Sequence, residues 1–270
     1  MRQNTIIGAI LLLTACGRDT ITTPAPRISF SLSGSVNDTA FRPVGQAKIE
    51  VLDGPQAGAV TLTDDAGKFR FAETFTAELT LRASKAGYLE KSDHITNVIG
   101  TSQRNIGLSL ESATPPTNLA GNYLMTFSAD AACTSLPPVA RSRTYSAVIV
   151  GEASGGGTRF QGRLGGASFA PPGPSLTRYD SFFVAVFRDF ARLLFDDPSF
   201  GTAIVEQLGP EMYVGIMGTA EGLITPSTSE LPVSGRFEFC DKKADAPFVQ
   251  CSIIAIVCDP SNHHLTLTRQ

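Results

Sequence analysis

Residues 28–36, Ile28-Ser29-Phe30-Ser31-Leu32-Ser33-Gly34-Ser35-Val36, alternate apolar with small polar residues. Period two puts Ile28, Phe30, Leu32 and Val36 on one face and the serines on the other, the pattern of a strand buried on one side. The same alternation returns at Ala47, Ile49 and Val51, at Val60 and Leu62, at Phe69 and Phe71, at Phe75, Ala77, Leu79 and Leu81, and at Ile106, Leu108 and Leu110. Turn-forming residues separate these runs: Asn37-Asp38, Asp53-Gly54, Asp64-Asp65-Ala66-Gly67 and Ala86-Gly87. Short strands at this spacing predict a β-sandwich over residues 27–110.

Outward from that stretch, the composition agrees with an all-β chain. The 270 residues include 25 Gly and 17 Pro, which favour many turns over long helices, and 42% apolar with 17% charged residues is a globular mix. The formal charge of −3 and the absence of any basic stripe argue against nucleic acid as a partner, because phosphate binding needs clustered Lys and Arg. No Trp and only five Tyr weaken the case for a stacked-aromatic sugar site, and three His leave little material for a metal cluster.

The first strand series also resembles a known family. Gly34-Ser35-Val36-Asn37-Asp38, Pro43, Ala47-x-Ile49-x-Val51, Thr63-Asp64-x-x-Gly67-x-Phe69-x-Phe71 and Ala86-Gly87-Tyr88 occur in the order found in the carboxypeptidase regulatory-like domain, a transthyretin-like sandwich. The resemblance implies a seven-stranded-type sandwich that serves as a non-catalytic module on an exported or surface protein. The stretch after Tyr88, with Lys91, Asp93 and His94, is more polar than a strand facing a core. Asp64 and Asp65 invite comparison with a calcium loop, but the regular oxygen spacing of an EF-hand is missing and a turn before Phe69 accounts for them.

The N-terminus has the layout of an export signal. Arg2 precedes the apolar run Thr5 to Leu13, too short for a bilayer span of roughly 20 residues. Leu13-Thr14-Ala15-Cys16 then resembles the bacterial lipobox, which implies cleavage before Cys16 and lipidation of its thiol. Several acyl chains on one residue anchor a protein stably where one chain holds it only marginally. Residues 1–15 are thus expected to be a lipoprotein signal peptide and 16–26, polar and Pro-containing, a tether. Gly17 is not the Asp that marks inner-membrane retention in enteric bacteria, so an outer-membrane location is expected.

Residues 111–118, Glu-Ser-Ala-Thr-Pro-Pro-Thr-Asn, break the alternation and read as a Pro-rich linker. Residues 119–270 then carry about ten further short runs, among them Tyr123 to Phe127, Tyr145 to Val150, Met212 to Ala220, Val233 to Cys240 and Leu265 to Thr268. That number predicts an antiparallel β-barrel or a deep sandwich. Gly121-Asn122-Tyr123 and Arg269 give the segment a weak resemblance to lipocalin-like barrels. Asp180 to Asp197 is ambiguous: Phe183, Phe187, Phe190 and Leu194 fall at helical spacing, yet Phe182 to Phe187 is rich in strand formers. Two strands with a turn near Arg188-Asp189 fit its surroundings better.

Four cysteines remain beside Cys16, in an exported and thus oxidising setting, and they allow three pairings. Cys240 ends one strand and Cys251 opens the next, so a hairpin sets them opposite each other. In an up-and-down barrel the first and last strands pair, which brings Cys133 and Cys258 together just beyond their ends. The predicted disulfides are therefore Cys133–Cys258 and Cys240–Cys251. A Cys and His metal site built on Cys251, Cys258, His263 and His264 is the alternative, but no CxxC pair is present and the spacings fit no common zinc module.

No G-x-S-x-G, H-E-x-x-H or phosphate-loop pattern occurs, and Gly155-Gly156-Gly157 reads as a hairpin tip. The expected role is a non-catalytic binding or interaction module without a cofactor, held at the membrane through Cys16. Its ligand would be a small molecule or another envelope protein. Two alternatives stand beside it: a hydrolase assembled from carboxylates such as Glu206, Asp196 and Asp197, and a structural component of an envelope assembly.

Overall fold

The computed structural model describes residues 29–76, 78–96, 103–153, 156–170, 178–195, 203–210, 212–241, 256–260 and 262–270. Two β-structures follow one another along the chain. Cys16, the signal, the tether, Ile28, Ala77, Asp196, Asp197 and Cys251 lie outside the described residues.

The first structure is a seven-stranded sandwich of β1 (Phe30–Asp38), β2 (Lys48–Val51), β3 (Val60–Leu62), β4 (Lys68–Phe75), β5 (Leu79–Ser84), β6 (Lys91–Ile95) and β7 (Gln103–Leu110). A three-stranded sheet in the order β4-β1-β7 packs on a four-stranded sheet in the order β3-β2-β5-β6. β1 alternates buried and half-buried residues without exception, so the alternation of residues 30–36 is the burial pattern of the strand itself. Phe30, Leu32, Val36, Ile49, Val51, Phe69, Phe71, Phe75, Leu79 and Leu81 fill the space between the sheets. Asp64 accepts the Lys68 backbone N–H through Oδ1 and shapes the turn into β4, the role of turn former expected for it.

The second structure is a closed eight-position barrel rather than a deep sandwich. Its strands are β8 (Gly121–Ser128), β9 (Ser142–Gly151), β10 (Arg159–Gly165), β11 (Asp180–Phe187), β12 (Phe190–Leu194), β13 (Ala203–Gln207), β14 (Met212–Leu223), β15 (Thr228–Asp241), β16 (Ile256–Cys258) and β17 (His263–Arg269). β12 and β13 lie end to end between β11 and β14, and together fill one barrel position. β16 and β17 share another in the same way beside β15. Closure comes from antiparallel pairing of β8 with β17, from Tyr123↔Arg269 to Ser128↔His264. At one rim the Arg269 guanidinium lies 5.7 Å from the Tyr123 ring centre and donates to the Ala120 carbonyl. At the other, the one-turn helix α1 (Pro138–Arg141) joins β8 to β9.

Eight strands leave an interior about wide enough for side chains alone. Here Phe127, Tyr145, Phe160, Phe182, Phe195 and Phe237 fill it, all fully buried. Glycine makes room for them. Gly162 of β10 is the cross-strand partner of Phe182, and a Cβ there would fall 2.0 Å from the ring. Gly34 and Phe69 repeat the arrangement in the sandwich, where the Cβ would fall 2.6 Å from the ring. Both structures therefore seat an aromatic ring on the bare backbone of a facing glycine.

Gly162→Val is expected to destabilise the protein by about 3 kcal/mol, because the ring has no free space to move into. Gly107→Ala, at a glycine with nothing within 4 Å of the added methyl, should stay within about 0.5 kcal/mol of the parent in the same denaturant titration.

Candidate functional site

Residues 180–187 of β11 depart from the alternation seen in strands such as β1, β5 and β10. After half-buried Asp180 all seven residues are buried. Phe182, Val184 and Val186 belong to the barrel core. Phe183, Ala185 and Phe187 point out of the barrel and are buried too, Phe183 against Phe41 and Phe187 against Tyr88 of the sandwich. A strand buried on both faces reads as a continuous apolar run, which is why Phe182-Phe183-Val184-Ala185-Val186-Phe187 gave no clear period.

The contacts at this joint are specific. Tyr88 stacks on Phe187 with ring centres 5.1 Å apart and planes at 28°, and Phe41 meets Phe183 at 6.4 Å. The Arg42 guanidinium lies 4.1 Å from the Phe190 ring centre and 5.2 Å from that of Phe187, within cation–π range. Buried Asp38 aims Arg42: Oδ2 accepts from Nε at 2.8 Å, and Oδ1 accepts the Ala40 and Arg42 backbone N–H groups. The Thr39 hydroxyl donates to the Val186 carbonyl at 2.6 Å.

The hairpin turn between β11 and β12 is Arg188-Asp189, as the sequence predicts. Arg188 takes φ +56°, a left-handed conformation that glycine usually supplies and that costs a larger residue roughly 1–2 kcal/mol. Its side chain offsets that cost by donating to the Gly87 carbonyl at 2.9 Å and the Ser112 hydroxyl at 3.1 Å, while its carbonyl accepts the Thr117 N–H. Residues 111–117 are thereby held against both structures. Leu89 N–H donates to the Glu111 carbonyl and Ala113 N–H to the Gly87 carbonyl.

Beside the joint lies a cleft of about 450 Å³, lined by Thr39 and Phe41, by Lys91 and Asp93 of β6, by Gly107, Leu108 and Ser109 of β7, by Glu111, and by Gly156, Thr158 and Arg159 of the barrel. Its volume falls in the range of small-ligand and peptide sites. Among the described residues, the side chains of Lys91, Asp93, Glu111 and Arg159 have no hydrogen bond or ion pair. Two charges of each sign therefore converge on one concave surface without partners.

The other candidate residues divide cleanly. Cys133 and Cys258 form a disulfide with Cα atoms 5.6 Å apart, at the end of the barrel where the closure argument puts them. Cys240 is also disulfide-bonded. Glu206 reaches across the barrel from β13, buried, and both oxygens are occupied. Arg143 donates through Nε at 2.6 Å and through Nη2, and Tyr145 donates through its hydroxyl at 2.8 Å. Burial, with the Glu206 carboxylate beside it, pushes the Tyr145 phenol far up, and hydrogen bonding to Glu206 raises Arg143. This network fastens β9 to β13; Asp196 and Asp197 lie outside the described residues. His94 stands on β6 with Nδ1 3.1 Å from the Thr80 hydroxyl.

His263 is fully buried at the disulfide end of the barrel and His264 faces outward. His263 Nδ1 accepts the Asp130 N–H at 2.9 Å, and its ring lies 4.8 Å from that of Phe237. Sequence reading missed the joint and the cleft, because no residue-spacing rule links Tyr88 to Phe187 or Lys91 to Arg159. The one available signal was the loss of period two in residues 182–187.

In comparison with known proteins, residues 31–110 match the family model of the carboxypeptidase regulatory-like domain. That segment is the seven-stranded sandwich from β1 to β7. No curated protein matches the chain.

Burial holds the His263 imidazole below its ordinary value, outweighing the opposite pull of the Cys258 backbone and of Asp130 and Asp259. The unfolded chain therefore binds this proton first, near the ordinary value of about 6.5, and stability must fall as pH drops through and below it. Thermal midpoints should be flat above about pH 7 and decline below about 6.5, and His263→Gln should flatten that decline. A parent and variant with parallel pH profiles would contradict this.

Proposed function

We propose that the chain is a lipid-anchored bacterial envelope protein whose sandwich and barrel act together as a non-catalytic binding module, with the cleft beside their joint as the ligand-facing surface. The observation that carries this reading is the contrast between a barrel interior filled by aromatic side chains and a cleft lined by four unpartnered charges. A filled barrel offers a ligand its outside, not its lumen. Glu206, the described carboxylate considered for hydrolysis, has both oxygens engaged by Arg143 and Tyr145.

The anchor rests on Leu13-Thr14-Ala15-Cys16 and on the apolar run before it. Lipid at Cys16 would hold the module at the envelope, at the outer membrane because Gly17 is not Asp, with residues 16–26 as its tether. The paired disulfide Cys133–Cys258 suits the oxidising compartment this location implies.

Cys16→Ser is expected to abolish incorporation of labelled palmitate and to move the protein from the membrane fraction to the soluble fraction. Unchanged membrane association of that variant would overturn the anchoring claim.

A further inference from the structure

Cross-strand pairing shows what the cleft lacks. On β6, Lys91, Asp93 and Ile95 pair with Ala83, Leu81 and Leu79 of β5. Paired residues share a face of a sheet, and the three β5 partners belong to the sandwich core. Lys91 and Asp93 therefore point toward the opposing sheet, as Ile95 does, yet Ile95 is buried and both charged residues are exposed. The cause is the unequal size of the sheets. The β3-β2-β5-β6 sheet has four strands and the β4-β1-β7 sheet has three, so beyond β7 no strand among the described residues covers Lys91 and Asp93.

β7 ends its sheet, and its outer backbone edge from Gln103 to Leu110 has no strand partner among the described residues. Three consecutive residues of that edge, Gly107-Leu108-Ser109, line the cleft. Gly107 carries no side chain, and a Cβ placed there would have nothing within 4 Å. Among the described residues the apolar lining is Phe41 and Leu108, too little to hold a lipid or an aromatic ligand by burial alone. A sheet edge without a partner among the described residues, a cleft beside it and unpaired charges on the facing wall are what an added strand requires.

We propose that the cleft binds an extended peptide segment, which adds to β7 as a fourth strand of the three-stranded sheet and closes the sandwich over β6. The proposal rests on the binding-module reading and names the ligand class for its cleft. Main-chain hydrogen bonds to the β7 edge supply the affinity. Specificity comes from the inward side chains of the peptide, which stand two residues apart. Lys91 and Asp93 are also two residues apart on one face, so successive inward positions take an acidic residue opposite Lys91 and a basic one opposite Asp93. Glu111 and Arg159 offer the same pair of charges toward the joint.

The test is fluorescence anisotropy of the full chain in detergent micelles with labelled octapeptides. One probe repeats Thr-Glu-Thr-Lys, a second repeats Thr-Lys, and a third is the first with alternate backbone nitrogens methylated. Saturable binding of the first probe is expected, at least about tenfold weaker for the methylated form because each lost N–H removes a ladder bond. Lys91→Glu, an exposed change, should reverse the preference toward the all-lysine probe. No saturable binding, or binding indifferent both to methylation and to Lys91→Glu, would overturn the proposal and leave Lys91 and Asp93 as charges that guard an edge against pairing. That outcome would leave the anchoring claim standing, which the palmitate and fractionation result decides separately.

Discussion

The burial of both faces of β11 is the constraint on which the rest of this structure depends. Its inward residues, Phe182, Val184 and Val186, close the barrel core, and its outward residues, Phe183 and Phe187, are the surface on which the sandwich sits. A strand in this position cannot slip by one residue without exchanging the two sets. Gly162 fixes the inward set by admitting the Phe182 ring, and the Tyr88 stack fixes the outward one. The left-handed turn at Arg188 follows: it brings a guanidinium to the Gly87 carbonyl and the Ser112 hydroxyl, and these contacts hold an otherwise unfavourable backbone in place.

The cleft is a product of the same constraint. Once the sandwich is seated on β11 and β12, the Gly156–Arg159 turn of the barrel stands beside the open edge of β7. A shallow sheet edge thereby becomes a walled groove. A sandwich free to swing on a linker would present that edge without its second wall and without Arg159. Residues 111–118 accordingly work less as a spacer than as a strap, since Ser112 and Thr117 are bonded to Arg188 and Glu111 and Ala113 to the 87–89 segment.

What could be read from the sequence was whatever obeys a local period. The alternation at Phe30, Leu32 and Val36 gave the first strand and its buried face, and the turn residues gave most of the others. Barrel closure was legible too, because an up-and-down order leaves only one way to pair the first strand with the last, and Cys133–Cys258 followed from it. The joint was not legible. Its contacts run between residues as distant as Tyr88 and Phe187, and its trace in the sequence is the absence of a pattern in residues 182–187. The polarity of Lys91, Asp93 and His94 looked like a failed strand for a related reason. β6 is a regular strand whose inward Lys91 and Asp93 lie beyond the described strands of the opposing sheet while Ile95 reaches the core, a fact that belongs to strand order and not to spacing.

The central claim is that sandwich and barrel are locked by the two-sided burial of β11. Spin labels at two exposed positions, Lys68 on the sandwich and Val148 on the barrel, would read it directly by electron–electron distance measurement. The account predicts a single narrow distance distribution that broadens when Phe187→Asp removes the Tyr88 stack. A broad distribution in the parent chain, or one that Phe187→Asp leaves unchanged, would contradict it.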